Sequence, residues 1–327
     1  MGVGSSIEVF IQLNNGRKCP GLGLDVSQIR IKDSEYYDIK NVVYRSILKK
    51  IKLIVTEPSN EEIVGEVIKE AIAANKVRRR DLFIVAKLEI EEKEDPKKAL
   101  EKSLKRLNLT YVDLYLDHWP SCYNINQLDK YKVIPVRDTW KKMERLVDKG
   151  LTKSIGVSNY NVENLLNILS ICKIKPAVNE VEFHPYLFQK DLRDFCELEH
   201  IKIFAYNPLA KGDYPKTIKL QNISMRYLEE PLNYLAKKYH QTRNKIILNW
   251  YMLLGIVPIL GIEIRKPDKV TTPQPQPDND IDTIIDKNLI VSRVELDEKY
   301  IEILNTFKEK QYRMNDGSDI FGINIFE

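Results

Sequence analysis

Residues 82–117 read LFIVAKLEIEEKEDPKKALEKSLKRLNLTYVDLYLD, and this stretch decides the fold. It opens on a short run rich in β-branched and aromatic residues, Leu82–Lys87, and closes on a second, Val112–Asp117. Between them Asp95-Pro96 marks a helix start. An Asp side chain can accept from free backbone N–H groups at a helix N-terminus, and Pro, with no N–H to lose, suits the first turn. Leu100, Leu104 and Leu107 then recur at helical spacing through Lys97–Leu107. A strand, a helix and a second strand predict a βαβ unit, whose two strands run parallel.

The same alternation continues on both sides. Strand-like runs occur at Lys52–Val55, Lys153–Ser158, Ala177–Phe183, Lys202–Tyr206 and Val257–Leu260. Helical patterns occur at Glu61–Ala74 (capped by Ser59 or Asn60), Arg137–Lys149, Val162–Leu169, Lys190–Leu198, Ile223–Tyr239 and Arg243–Leu254. Near the start, Ile7–Leu13 alternates in strand fashion, Asn14-Asn15-Gly16 supplies residues that tolerate positive φ, and Cys19–Val26 returns. The return arm and a helix near Tyr37–Lys49 make a first unit, and seven more follow. The expectation is an α/β protein, a closed (β/α)8 TIM barrel in one domain over residues 1–327, with a leader at 1–6 and an N-terminal β-hairpin at 7–19. The strands are nearly continuous in apolar residues, as a sheet buried on both faces requires. Residues 266–282, KPDKVTTPQPQPDNDID, break the rhythm and read as a Pro-rich insertion near the last βα unit. In such barrels chemistry sits at the carboxyl ends of the strands.

Composition narrows the partners. The 51 Lys and Arg are interleaved with 47 Asp and Glu, so the net charge of +4 forms no basic block of the kind nucleic acid demands. The run Lys76–Arg80 reads as a solvated helix end. Cys19, Cys122, Cys172 and Cys196 contain no CxxC pair and no His at ligand spacing, which argues against a zinc site or a disulfide scaffold. No metal is expected. No apolar stretch approaches the roughly 20 residues that cross a bilayer. Met1–Ser6, MGVGSS, fits the N-myristoylation pattern at Gly2, and a single acyl chain would give weak membrane contact. The expected setting is the cytoplasm, with a cytoskeletal or organellar complex as a plausible home.

Five short motifs carry a family resemblance. Residues 113–120, DLYLDHWP, resemble the DLYLIHWP strand of aldo-keto reductases. Residues 156–160, GVSNY, resemble their GVSNF turn, 179–186, NEVEFHPY, their NQVECHPY, and 205–209, AYNPL, their AYSPL. Residues 255–261, GIVPILG, resemble GIVPIPG. The likeness runs in the family's order from about residue 7 to about residue 312. It implies NADP-dependent carbonyl reduction, in which a Tyr protonates the carbonyl oxygen, a Lys paired to an Asp makes that Tyr acidic, and a His orients the substrate. Lys87 and His118 stand where the family has its Lys and His.

The other two positions differ. Aligning residues 60–65, NEEIVG, with the family's NEEEVG places Pro58 at the Tyr and Leu53 at the Asp. Lys52–Ser59 contains no Tyr and no Asp, and Glu57 is its one proton carrier. For the cofactor, the resemblance keeps Ser158, Asn159 and Tyr206, the ring on which the nicotinamide stacks, while Glu180 replaces a Gln and Asp25 a Gly near the nicotinamide. Arg265 and Asn288 are the remnants of the adenosine contacts, and Ile262 stands where the family grips the adenosine phosphate. Lys87, without its Asp, is expected to pair with Asp25 or Glu180. His184, His200 and His240 are assigned no chemistry. The sequence therefore predicts a pseudoenzyme, a structural or scaffolding subunit that needs no cofactor and presents its loops and insertion to protein partners. Its alternatives are a divergent NADP-dependent oxidoreductase that reduces aldehydes or ketones, and a redox sensor that binds NADPH without turning it over.

Overall fold

The computed structural model describes residues 9–32, 38–120, 134–210, 226–265, 282–283, 285–286 and 313. The chain runs β1 (Phe10–Gln12), β2 (Lys18–Pro20), β3 (Gly23–Asp25), β4 (Arg30–Lys32), α1 (Ile39–Leu48), β5 (Leu53–Val55), α2 (Glu61–Ala73), β6 (Phe83–Leu88) and α3 (Pro96–Leu107). It continues through β7 (Leu114–Asp117), α4 (Val136–Asp148), β8 (Ile155–Ser158), α5 (Val162–Leu169), β9 (Val178–Glu182), α6 (Lys190–Leu198) and β10 (Lys202–Tyr206). The last described elements are α7 (Arg226–Lys238), α8 (Arg243–Leu253), β11 (Val257–Leu260) and β12 (Glu263–Arg265). Strands β3, β5, β6, β7, β8, β9, β10 and β11 close a barrel in that order, and every neighbouring pair is parallel.

The period-two pleat sorts the strand side chains into two sets. Leu53, Val55, Phe83, Val85, Leu114, Leu116, Val178, Phe204, Val257 and Ile259 form one buried cluster, the barrel interior. Ile54, Ile84, Ala86, Tyr115, Ile155, Val157, Ile203 and Ala205 alternate with them and pack beneath the helices. Each Val, Leu, Ile or Phe among them contributes about 1.5–3 kcal/mol on burial. One further step along the inward set places Asp25, Lys87, His118, Ser158 and Tyr206 at the carboxyl ends of five strands, with Glu180 in the middle of β9 in register with Ser158. Gly156 is required in β8, because a Cβ there would meet Val178 O at 2.6 Å.

The hairpin plugs the opposite end. Leu13 and Cys19 join the interior cluster, Asn14 Nδ2 donates to Pro176 O at 2.8 Å, and Asn15 Nδ2 donates to Ser154 Oγ at 2.8 Å. The return arm differs from the expected single run of Cys19–Val26. Its antiparallel ladder is β2 on β1, Gly21 N bonds Val9 O at 2.7 Å, and the chain then enters the barrel as β3, parallel to β11 and β5. One stretch serves two sheets, so it breaks at Gly21-Leu22. A second small sheet, β4 parallel to β12, has no counterpart in the sequence reading. Asn60 is the N-cap of α2, yet its Oδ1 accepts from Glu57 N at 3.1 Å rather than from the helix. The leader with Gly2, residues 266–281 of the Pro-rich insertion, Cys122 and Asn288 lie outside the described residues. Asp282 pairs with Arg45 of α1, with Arg45 Nε at 2.9 Å.

Candidate active site

Lys87, at the end of β6, is 4% exposed, and its Nζ lies 2.8 Å from Glu180 Oε1 on β9. Glu57 Oε1 stands 3.7 Å away. Burial alone would lower the lysine's affinity for its proton, but the carboxylates of Glu180, Asp25 and Glu57 more than offset it and hold the pKa above its ordinary value. Lys87 is therefore a fixed ammonium. Of the two expected anions, Glu180 makes the close contact. Asp25 turns to Ser27, where Oδ1 accepts from Ser27 N at 2.9 Å and Ser27 Oγ at 2.6 Å, and acts on Lys87 only through its field. Glu180 Oε2 is buried and has no hydrogen-bond partner among the described residues.

Beside this cluster runs a chain of hydrogen bonds. Tyr206 Oη donates to Asn159 Oδ1 at 3.0 Å, Asn159 Nδ2 donates to His118 O at 3.1 Å, and Ser158 Oγ donates to Glu180 O at 2.9 Å. Asn159 adopts φ +65°, a left-handed turn that Asn tolerates, and its own N–H bonds Glu180 O at 2.9 Å. Burial pushes the Tyr206 phenol well above its ordinary pKa, so it keeps its proton. Five consecutive strands thus bring Lys87, His118, Ser158, Asn159, Glu180 and Tyr206 to one mouth. Arg265 is the last residue of β12.

Two further features were not read from the sequence. His118 Nδ1 lies 3.0 Å and 3.1 Å from the two oxygens of Glu89. Burial would raise the Glu89 pKa, but His118, Lys87 and Lys93 outweigh it and hold the carboxyl below its ordinary range. Next along the chain, Asp117 and Lys93 form an ion pair of 2.7 Å with both side chains 1% exposed. Lys93 Nζ donates to Trp119 O, and Tyr160 Oη donates to Asp117 Oδ2 at 2.7 Å. The visible signal was Asp117 in the place of an Ile in DLYLIHWP. His184 is buried against Glu182, 3.2 Å from it, outside the mouth network.

The aldo/keto reductase family profile matches residues 43–272, well over half of the chain. The chain belongs to the aldo/keto reductase family. Glyoxal reductase of Bacillus subtilis (strain 168) is 37% identical over 260 residues, covering 78% of this chain and 83% of that protein. Aldose reductase B of Dictyostelium discoideum is 39% identical over 216 residues, 61% of this chain and 66% of that one. A Bombyx mori aldo-keto reductase, solved in complex with NADP, superposes with a TM-score of 0.77 at 29% identity over 95% of this chain and 96% of its own.

Within this family member, Leu53 and Pro58 occupy unreactive ground. Leu53 is fully buried in the interior cluster, in register with Phe83. Pro58 sits in the turn between β5 and α2, where Asn60 N bonds Glu57 O at 3.0 Å. Thr56 closes the strand end by donating Oγ1 to Val85 O at 2.9 Å. Glu57 is the one group of this turn that reaches the lysine.

Proposed function

We propose that this aldo/keto reductase family member reduces aldehydes or ketones with NADPH and draws its proton from a group other than tyrosine. The observation that carries the reading is the shared mouth. Lys87, His118, Ser158, Asn159, Glu180 and Tyr206 come from five separate strands, and a barrel used only as a rigid body has no need to assemble them. The relatives' names, glyoxal reductase and aldose reductase, favour the same chemistry.

The residues present suit a nicotinamide. Glu180 Oε2 is a buried acceptor with no described partner, placed to take an amide N–H, and Ser158 and Asn159 flank it. Tyr206 offers a ring at the same level. NADPH bound there would supply the hydride. Lys87 contributes a permanent positive charge that favours a carbonyl oxygen gaining negative character. Its surrounding carboxylates, Glu180, Asp25 and Glu57, leave the mouth net negative and work against a polyanionic cofactor.

A second reading is favoured by the turn itself. With Pro58 and Leu53 at the expected Tyr and Asp positions, the barrel would serve as a scaffold in a larger assembly. NADPH binding to the purified protein, by fluorescence quenching and thermal shift, followed by NADPH oxidation with a panel of aldehydes, separates the readings. The reductase reading expects saturable binding and aldehyde-dependent oxidation. No shift at millimolar NADPH leaves the scaffold, and binding without turnover leaves a sensor. A cytoplasmic location accompanies this proposal. Among the described residues no helix is long and apolar enough to cross a membrane.

A further inference from the structure

We propose that His118, oriented by Glu89, is the group that delivers the proton in this barrel. The inference rests on the reductase reading and deepens it. A carbonyl that accepts a hydride becomes an alkoxide, so some nearby group must hold a transferable proton. Lys87 is locked among three carboxylates, and Glu57 is part of that cluster. Tyr206 already spends its hydroxyl hydrogen on Asn159 Oδ1. His118 remains, following β7 directly at the mouth, with its backbone N–H bonded to Leu88 O at 3.2 Å.

The geometry fixes which nitrogen can act. Glu89 faces Nδ1 with both oxygens, and an ionised carboxylate only accepts hydrogen bonds. Nδ1 therefore carries a hydrogen, and Nε2 is the nitrogen left for exchange. Nε2 has no hydrogen-bond partner among the described residues, and the side chain is 17% exposed, so solvent can recharge it. Both members of the pair are held. Glu89 precedes a one-turn 3-10 helix, Ile90–Glu92, whose Ile90 is buried. Lys93 follows that turn and is clamped to Asp117, the residue before His118. One buried ion pair thus ties down the Glu89 segment and the His118 segment together. Orientation of the ring by a carboxylate at the opposite nitrogen is the arrangement that general acid catalysis by histidine requires.

The step balances without another reactant. A hydride from the reduced nicotinamide bonds to the carbonyl carbon, and the C=O π pair moves onto oxygen. The Nε2–H bond of the imidazolium breaks, its electron pair stays on nitrogen, and the proton bonds to that oxygen. The carbonyl is reduced to an alcohol, the nicotinamide is oxidised, and neutral His118 keeps Nδ1–H against Glu89 until water reprotonates Nε2.

Two measurements on the full chain test the assignment. In the cofactor-free protein, proton NMR should show a protected downfield imidazole N–H signal that persists in Glu89→Gln and disappears in Glu89→Leu and His118→Ala. Absence of that signal overturns the proposal without reference to turnover. In the loaded enzyme, His118→Ala should lower kcat by about 100-fold or more while NADPH affinity holds. Added free imidazole should restore turnover in proportion to its concentration, which a merely structural role would not allow. Wild-type protein that binds NADPH but oxidises none with aldehydes overturns the reductase reading and this one together. Active wild-type protein whose His118→Ala variant is undiminished, or whose Glu57→Gln variant alone loses kcat, overturns only the assignment of His118.

Discussion

Replacing Asp117 by Ile, the residue of the resembling family motif, should destabilise this protein rather than relieve it. Asp117 and Lys93 are each 1% exposed at the side chain and 2.7 Å apart. Removing the carboxylate leaves a buried ammonium whose described partner is the single carbonyl of Trp119. Loss of one member of a buried pair costs about 3–5 kcal/mol. Tyr160 Oη also loses its acceptor, at a further cost of about 1 kcal/mol or more for a buried hydroxyl. The expected loss is about 4–6 kcal/mol, which at roughly 2 °C per kcal/mol for a large domain lowers Tm by about 8–12 °C. Lys93→Met should lose about 3–5 kcal/mol in the same way. The double variant Lys93→Met/Asp117→Ile should return to within about 1 kcal/mol of wild type or exceed it, because no charge is left without a partner. Urea denaturation followed in parallel by circular dichroism and tryptophan fluorescence gives the four corners of the cycle, with a coupling above about 3 kcal/mol. An Asp117→Ile variant as stable as wild type, or a double variant that loses the sum of the single losses, would refute the clamp.

Glu180→Gln should tighten NADPH binding. It removes one of three carboxylates around Lys87 and leaves an oxygen for the ammonium; the amide nitrogen that then replaces Oε2 meets the nicotinamide carboxamide through its carbonyl oxygen instead of its N–H, so the contact is exchanged rather than lost. A gain on the order of 1 kcal/mol, roughly five-fold in Kd, should appear in a fluorescence titration, and weaker binding would contradict the view that surplus negative charge opposes the cofactor. Asp81 gives a pH signature. The Arg78 guanidinium, bonded to both of its oxygens at 2.8 Å, holds the carboxyl down at about 2 from an ordinary 3.8. A depressed carboxylate stabilises the fold above its ordinary pKa and loses that contribution as pH falls through the folded one, so Asp81→Asn should differ from wild type in urea midpoint at about pH 5 and converge with it near pH 2. The pair is exposed and its effect small, but divergence that grows with acid would exclude it.

Much of the fold was legible because local signals coincide with global ones. Val162–Leu169 and Lys190–Leu198 are observed with the boundaries the sequence gives, the first because Asn161 caps it by accepting from Asn164 N at 2.9 Å. The return arm of the hairpin was not, because nothing local marks where an antiparallel partner is exchanged for a parallel one. In the site, Lys87 and His118 were legible as residues at strand ends that also match the resembling family, while Ser158, Glu180 and Tyr206 were legible only through the family's motifs. Partner choice was not legible. Glu180 and Asp25 looked equivalent for Lys87 until Ser27 was seen to occupy Asp25. Lys93 and Glu89 lie in an acidic, charged stretch, EIEEKED, that carries no periodic signal, and only three-dimensional packing buries the lysine and turns one of its glutamates toward an imidazole.

The interior at Leu53 also limits what substitution could restore to the site. Its Cδ2 stands 2.4 Å from where a Cβ on Gly23 would be, so the leucine fills the hollow beside that glycine. Lys87 has Glu180 as its counterion. An aspartate at position 53 would empty a packed hollow and bury a carboxylate in the apolar interior, and a tyrosine at position 58 would meet a lysine already paired elsewhere. Packing and charge together oppose the two substitutions that would rebuild the resembling family's pattern, so the chemistry open to this barrel is that of the groups already lining its mouth.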